Sequence, residues 1–374
     1  MRFRVRQPLA GLIAAVALLL AAAAPAPARA AGPAAPAVGV PAGVTAGVAV
    51  YDRQASAFTV QHNADRQFRA ASIVKLLIAL DFFWDRGPGY AVPDADRARL
   101  TAMLRGSDDD AATYYWSRNG YEQVVNRMVA RLELRDTAPP ASAQRGYWGY
   151  TAVAAADVVR IYRYVLDTAP EPVRRFVMDN LRHSTRCAAD TYDQHFGIPG
   201  VFARPWAVKQ GWSGFGDAPK TCGGGTARVL AAASVDLVGE VLHTTGTVGP
   251  GDRSIVVVLT LHPDGTPFSV AYNNVTTVTR SLRVPGASPL SGASFGTWGA
   301  GVRVRSKPTT TDSTVLATVP AGVDVLVSCQ KPGEEVVIDT YRNSLWAYLP
   351  QFGGYMTNIY VKTPGNRLPN VPDC

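Results

Sequence analysis

Ser72-Ile73-Val74-Lys75 sets a hydroxyl and an amine three residues apart, which places both on one face of a helix. From Ile73 to Phe83 the chain is apolar on nearly every side apart from Lys75 and Asp81, so this helix is expected to be buried. An amine in such surroundings is poorly solvated as an ammonium. Its pKa falls, and it can take a proton from the neighbouring hydroxyl, leaving Ser72 as a nucleophile. The backbone N–H of Ser72, at the helix start, would point where an oxyanion could form. A plainer account fits the same residues, with Ser72 capping the helix and Lys75 reaching for solvent. Ser328-Cys329-Gln330-Lys331 repeats the pattern in a strand-and-turn setting, so four residues alone decide little.

Two further stretches carry chemistry. Ser107-Asp108-Asp109 precedes an expected helix, where Ser or Asp also serves as a cap and acids suit the first turn. Lys209-Gln210-Gly211 lies on an expected strand from Trp206 to Trp212, where alternation puts Lys209, Gly211 and Ser213 on one face. A cation there could hold a carboxylate, and a glycine lets a substrate backbone approach; an ordinary edge-strand lysine is the alternative.

In this order, Phe68-Arg69-Ala70-Ala71-Ser72-Ile73-Val74-Lys75, Ser107-Asp108-Asp109 and Lys209-Gln210-Gly211 resemble the three signatures of class A β-lactamases and penicillin-binding proteins. Asp193-Gln194-His195-Phe196-Gly197-Ile198-Pro199 resembles the lead-in to the third, and Tyr150-Thr151 with Asp157 the segment after the omega loop. The resemblance spans roughly residues 44–283. It implies Ser72 as nucleophile, Lys75 as base and Ser107 as proton relay. It also implies a substrate groove holding Asp109, Lys209, Gln210, Gly211, Trp212 and Ser213, with the amides of Ser72 and Trp212 as oxyanion donors. The implied substrates are peptidoglycan peptides and β-lactams. Asp109 stands where the family has Asn, and Gln210 where it has Thr or Ser. In class A enzymes a loop glutamate activates the deacylating water; the corresponding residues 137–146 contain no acid, so acylation is expected and fast lactam turnover is not. A non-catalytic wall-binding protein with a decayed site is the other reading.

Other chemistries find less support. The five histidines are dispersed without metal-ligand spacing, Asp108-Asp109-Asp110 lacks the alternating oxygens of a calcium loop, and no cofactor or metal is expected. Gly292-Ala293-Ser294-Phe295-Gly296 fits a hydrolase elbow but lacks the strand-to-helix context.

The elements that must position these residues follow from the patterning. Residues 1–30 read as an export signal: Arg2, Arg4 and Arg6, an apolar run from Leu9 to Ala24, and cleavage after Ala30. No cysteine follows that site, so a lipid anchor is not expected, nor is a membrane span. Residues 31–43 form a linker rich in Ala and Pro. Strands are expected at Gly47–Tyr51 and Ala57–Gln61, helices at Ile73–Phe83, Asp109–Ser117, Tyr121–Leu132 and Ala154–Leu166, then strands at 206–212, 237–245 and Ser254–Leu261 and a closing helix at Phe268–Leu282. The fold class is therefore α+β, an antiparallel sheet with a helical subdomain, over residues 44–283. Residues 284–298 read as a connector and 299–374 as a small all-β barrel. Val302-Arg303-Val304-Arg305-Ser306-Lys307-Pro308, Val319-Pro320-Ala321-Gly322, Trp346 and Gly353-Gly354-Tyr355-Met356 in that barrel resemble bacterial SH3 domains, which implies a cell-wall peptide as partner or a purely structural spacer.

Loss of the leader removes four of 37 basic residues and leaves 33 against 29 acidic ones. That mild excess suits an anionic cell surface and excludes a nucleic-acid footprint. The four cysteines, in an exported chain, are expected to pair within each half, Cys187 with Cys222 and Cys329 with Cys374.

Overall fold

The computed structural model describes Met1, residues 37–216, Asp236 and residues 238–374, and the described residues from 37 onward belong to one compact unit. The expected export leader beyond Met1, residues 31–36 of the linker behind it and Cys222 lie outside the described residues. Among the described residues no helix is long and apolar enough to cross a membrane.

A hairpin of β1 (Thr45–Asp52) and β2 (Ala57–His62) opens the fold, as its apolar runs and polar turn predict. It leads through β3 (Gln67–Arg69) and a 3-10 turn, Ala71–Val74, into α1 (Lys75–Trp84). Then come α2 (Asp94–Arg105), α3 (Asp109–Arg118), α4 (Gln123–Leu132), β4 (Ala152–Ala154), α5 (Ala155–Arg163) and α6 (Glu171–Arg182). A short α7 (Ile198–Val201) precedes β5 (Trp206–Ser213), β6 (Val241–Val248), β7 (Ser254–Leu261) and α8 (Phe268–Arg280).

The five strands form one antiparallel sheet in the order β2-β1-β7-β6-β5, so the first hairpin rejoins the late strands through pairs such as Asp52 with Ser254. Both faces are covered. Ala49, Tyr51, Val257 and Leu259 pack with α1 and α5, while Val48, Val50, Val256 and Val258 point the other way and pack with α8. This double burial explains why β7 reads as an unbroken apolar run rather than as alternation. Helices α2 and α6 were not expected. Each buries a narrow stripe, Leu100, Met103 and Leu104 in one and Val173, Val177 and Leu181 in the other, between charged residues that dilute the pattern.

Beyond α8, β8 (Ala293–Phe295) lies in the stretch read as a connector, yet it pairs with β11 (Val325–Val327). The remaining strands are β9 (Val302–Arg305), β10 (Val315–Val319), β12 (Cys329–Ile338), β13 (Tyr341–Leu349) and β14 (Gly354–Thr357), in a second sheet ordered β10-β9-β14-β13-β12. Their buried residues, among them Val304, Leu349 and Met356, belong to the same apolar cluster as α8. Cys329 and Cys374 form a disulfide across 45 residues of chain, and no described cysteine is free. The buried side chain of Gln330 pins the tail from within, donating to the carbonyls of Leu368 (2.9 Å) and Val371 (3.0 Å).

Candidate active site

Ser72 is fixed by its neighbours on both sides. Arg69 ends β3, and its carbonyl accepts a hydrogen bond from His243 Nε2 (2.8 Å) while His243 Nδ1 accepts from the Thr260 N–H (3.1 Å). An amide N–H can only donate, so the tautomer is set, and burial pushes the imidazole down to about 4, leaving it neutral. Ala70 N–H donates to the Thr151 carbonyl at 2.7 Å. Ala71 then takes φ +45°, a left-handed conformation unfavourable for a residue with a Cβ, and turns the chain sharply so that Ser72 enters the 3-10 turn before α1. Gly211 of β5 comes close to this turn: a Cβ there would lie 3.0 Å from both the Ala70 carbonyl oxygen and Ile73 Cγ1.

Three separate stretches of chain converge below Ser72. Lys75 Nζ lies 2.9 Å from Ser72 Oγ, 2.5 Å from the Ser107 carbonyl oxygen, 2.5 Å from Asp109 Oδ1 and 3.3 Å from Ser107 Oγ. Three protons serve the first three, and Ser107 Oγ instead accepts from Lys209 Nζ at 2.7 Å. Lys209 also donates to the Gln210 carbonyl at 3.1 Å. Lys75 and Lys209 are 0 % and 1 % exposed. Burial lowers the pKa of Lys75, opposed by the Asp109 carboxylate; burial and then the charge of Lys75 hold Lys209 well below an ordinary lysine. A neutral Lys75 would keep two protons for Ser107 and Asp109 and turn its lone pair to the Ser72 O–H. Ser107 sits at φ +58°, which aims its hydroxyl between the two amines.

Above Ser72 opens a cavity of about 390 Å³. One wall is Tyr147, Trp148 and Tyr150; another is Tyr192, Trp212 and Phe215; Asp109 and Asp190 supply carboxylates. Trp148 is held by its indole N–H on Thr113 Oγ1 (3.1 Å), and its ring lies 4.6 Å from Lys75 Nζ. Trp212 donates from Nε1 to Asp190 Oδ2 at 2.9 Å. Burial raises the pKa of Asp190, with the Trp212 bond opposing. The acid-free loop is anchored at its base by Asp157, wholly buried, whose carboxylate accepts from the N–H groups of Arg135 (3.1 Å) and Asp136 (2.7 Å) and from Thr137 Oγ1 (2.8 Å).

Ser72, Lys75, Ser107, Asp109 and Lys209 are therefore brought together, and Ser72, Asp109, Trp212 and Ser213 border the cavity. Three readings need correction. Gln210 does not enter the groove: it points to the opposite face of β5, donates to the carbonyls of Gln194 (3.0 Å) and Phe196 (2.8 Å), and is wholly buried there. Lys209 and Gly211 do not line the cavity: Lys209 lies beneath Ser107, and Gly211 packs against Ala70 and Ile73. Asp108 is the plain helix cap that its type allows, accepting from Ala111 N–H at 2.7 Å. Cys329 joins Cys374, while the partner expected for Cys187 is outside the described residues. Sequence reasoning missed Asp190, Tyr192 and Trp148. Only the aromatic density of Tyr147-Trp148-Gly149-Tyr150 was a usable signal.

The chain matches no protein-family model. It is 35% identical over 226 residues to a protein of Mycobacterium tuberculosis, and equally to one of Mycobacterium bovis, both bearing the provisional name lipoprotein LppW. The match covers 59% of this chain, and the chain spans 64% of the length of those relatives. Among solved structures it aligns with a class A β-lactamase from Mycobacterium abscessus (19% identity, TM-score 0.46, 64% of this chain and 92% of the other). It also aligns with a β-lactamase from Streptomyces albus G (16%, 0.45, 64% and 93%) and with a mutant of PBP-A as an acyl-enzyme complex with penicillin G (15%, 0.46, 64% and 89%).

Proposed function

We propose that this chain is an exported serine acyl-transfer enzyme of the penicillin-recognising kind, acting on peptidoglycan peptides or related amides and lactams through Ser72. The observation that carries this is the single hydrogen-bonded array joining Ser72, Lys75, Ser107 and Lys209, drawn from three stretches of chain and buried under one cavity. Neutral Lys75 takes the Ser72 proton as Oγ bonds to the acyl carbon. The C–N bond then breaks, the departing nitrogen takes the Ser107 proton, and Ser107 is reprotonated from Lys75. The Ser72 and Trp212 amides are the oxyanion donors in this reading, and Lys209 keeps Ser107 in line. With no acid in residues 137–146, the acyl-enzyme is long-lived.

The provisional lipoprotein name of the relatives and the Cys329–Cys374 disulfide support a place outside the cytoplasm or in the cell envelope, with the leader removed after Ala30. Residues 44–283 are the catalytic domain and 299–374 an SH3-like domain that holds a wall peptide. The test is covalent labelling of the folded protein by a fluorescent penicillin and by a neutral fluorophosphonate. An adduct on Ser72, absent in Ser72→Ala, is expected; a folded protein that neither reagent labels is not this enzyme.

The ion pair between Lys75 and Asp109 favours a second reading, a wall-binding protein whose base is permanently occupied. Retention on purified peptidoglycan that survives Ser72→Ala, together with absence of labelling, would select it.

A further inference from the structure

We propose that the cavity selects acyl donors carrying an ammonium group and disfavours the anionic ones that a carboxylate-anchoring site would take. This rests on the reading of Ser72 as nucleophile and names the substrate class for it. The argument is one of charge placement. Among the described residues no Lys or Arg side chain lines the cavity, whereas Asp109 and Asp190 do. Lys209, which would have to hold a substrate carboxylate, spends its protons on Ser107 Oγ and the Gln210 carbonyl at 1 % exposure. Arg69 lies behind the wall, buried, and donates to the backbone carbonyls of Gly239 (2.6 Å) and Ser213 (3.3 Å).

The two carboxylates differ. Asp109 is paired with Lys75 in the resting site, but the base must be neutral to act, and at that moment Asp109 loses its counterion. Asp190 has no ion pair among the described residues; it accepts hydrogen bonds from Trp212 Nε1 at 2.9 Å and from the Tyr192 N–H at 3.3 Å. A cation entering the cavity therefore meets the unpaired Asp190 carboxylate in a partly desolvated space, where Coulomb terms are stronger than in water. The aromatic walls favour the same ligand, since ring faces attract ammonium groups. One such contact already exists in the fold, Lys75 Nζ at 4.6 Å from the Trp148 ring. A carboxylate in the same place would face the like charge of Asp190 and the negative faces of the rings.

The experiment compares three 4-nitrophenyl esters of matched chain length, bearing a trimethylammonio group, no charge, or a carboxylate, with nitrophenolate release read at low salt. The expected order is cationic, neutral, anionic, with roughly tenfold or more between the extremes. That ratio shrinks at high salt, and in Asp190→Asn it contracts to about threefold while Trp212 keeps an acceptor. Equal rates, or a faster anionic ester, with Ser72 still labelled by the fluorophosphonate, overturn the inference and leave the enzyme standing. If neither esters nor fluorophosphonate react at Ser72, the enzyme reading fails instead. Calorimetric titration of Ser72→Ala with tetraethylammonium and with acetate then decides the charge preference alone: binding of the first and not the second supports it, and the reverse refutes it.

Discussion

The Asp109 carboxylate stabilises the ammonium form of Lys75 at 2.5 Å, while complete burial disfavours that form, and only the free amine can take the Ser72 proton. Asp109→Asn keeps an acceptor and removes the charge, so burial acts with less opposition and Lys75 titrates lower. The acid limb of the pH profile for Ser72 labelling should move to lower pH, and labelling at pH 6 should speed several-fold. Because the Asp109 side chain is 63% exposed, the stability change should stay below about 1 kcal/mol. Lys209 gives a second test. Its pKa lies well below 10.5 in the folded protein, so between the two values the unfolded chain binds the extra proton and this group's contribution to stability rises with pH. Lys209→Met should abolish that dependence: its melting temperature should exceed that of the wild type most at pH 6 and least at pH 9. Labelling should fall by roughly a hundredfold as Ser107 loses its guide. A melting-temperature difference that does not change with pH would contradict the buried-amine account.

The loop before α7 decides whether the elements deliver these residues. Gly197, before α7, has φ +59°, and a Cβ there would lie 2.4 Å from Thr244 Cγ2, whose hydroxyl accepts the Ile198 N–H at 3.1 Å. Gly197→Ala should cost about 2–4 kcal/mol in urea unfolding and slow labelling, because the same loop carries Asp190 and Tyr192. What was legible in the sequence follows this division between elements and loops. The apolar run of α1, the strands of the first sheet and the three signature stretches were readable because each is a local pattern. Asp190 was not, since an aspartate between Ala189 and Thr191 looks like any surface turn until Trp212, twenty-two positions away, supplies its hydrogen bond. Gln210 was misplaced because both faces of β5 are buried, so alternation separated it from Lys209 without telling which side was the groove. The aromatic wall was unreadable as a wall because Trp148 is placed by Thr113 of a different element.

At the scale of the molecule, the C-terminal strands are joined to the loop that carries Asp190 and to α8. Arg186 pairs with the buried Asp193 (2.9 Å), donates to the Gln351 carbonyl (2.6 Å) and stacks 4.2 Å from the Phe352 ring, while Asn273 of α8 exchanges hydrogen bonds with Gly322 and Asp324. Arg186→Met removes the ion pair of a wholly buried carboxylate and should cost about 3 kcal/mol. It should also slow labelling of Ser72, although Arg186 does not border the cavity; an unchanged labelling rate with the fold intact would mean that the C-terminal strands are a mere appendage. The Cys329–Cys374 link carries a different consequence, one of mechanics. Tension entering at Cys374 passes straight to the first residue of β12, so residues 330–373 cannot be drawn out. A molecule held at its two ends and unfolded by force should stop about 150 Å short of its full contour length, and recover that length when a reductant is added.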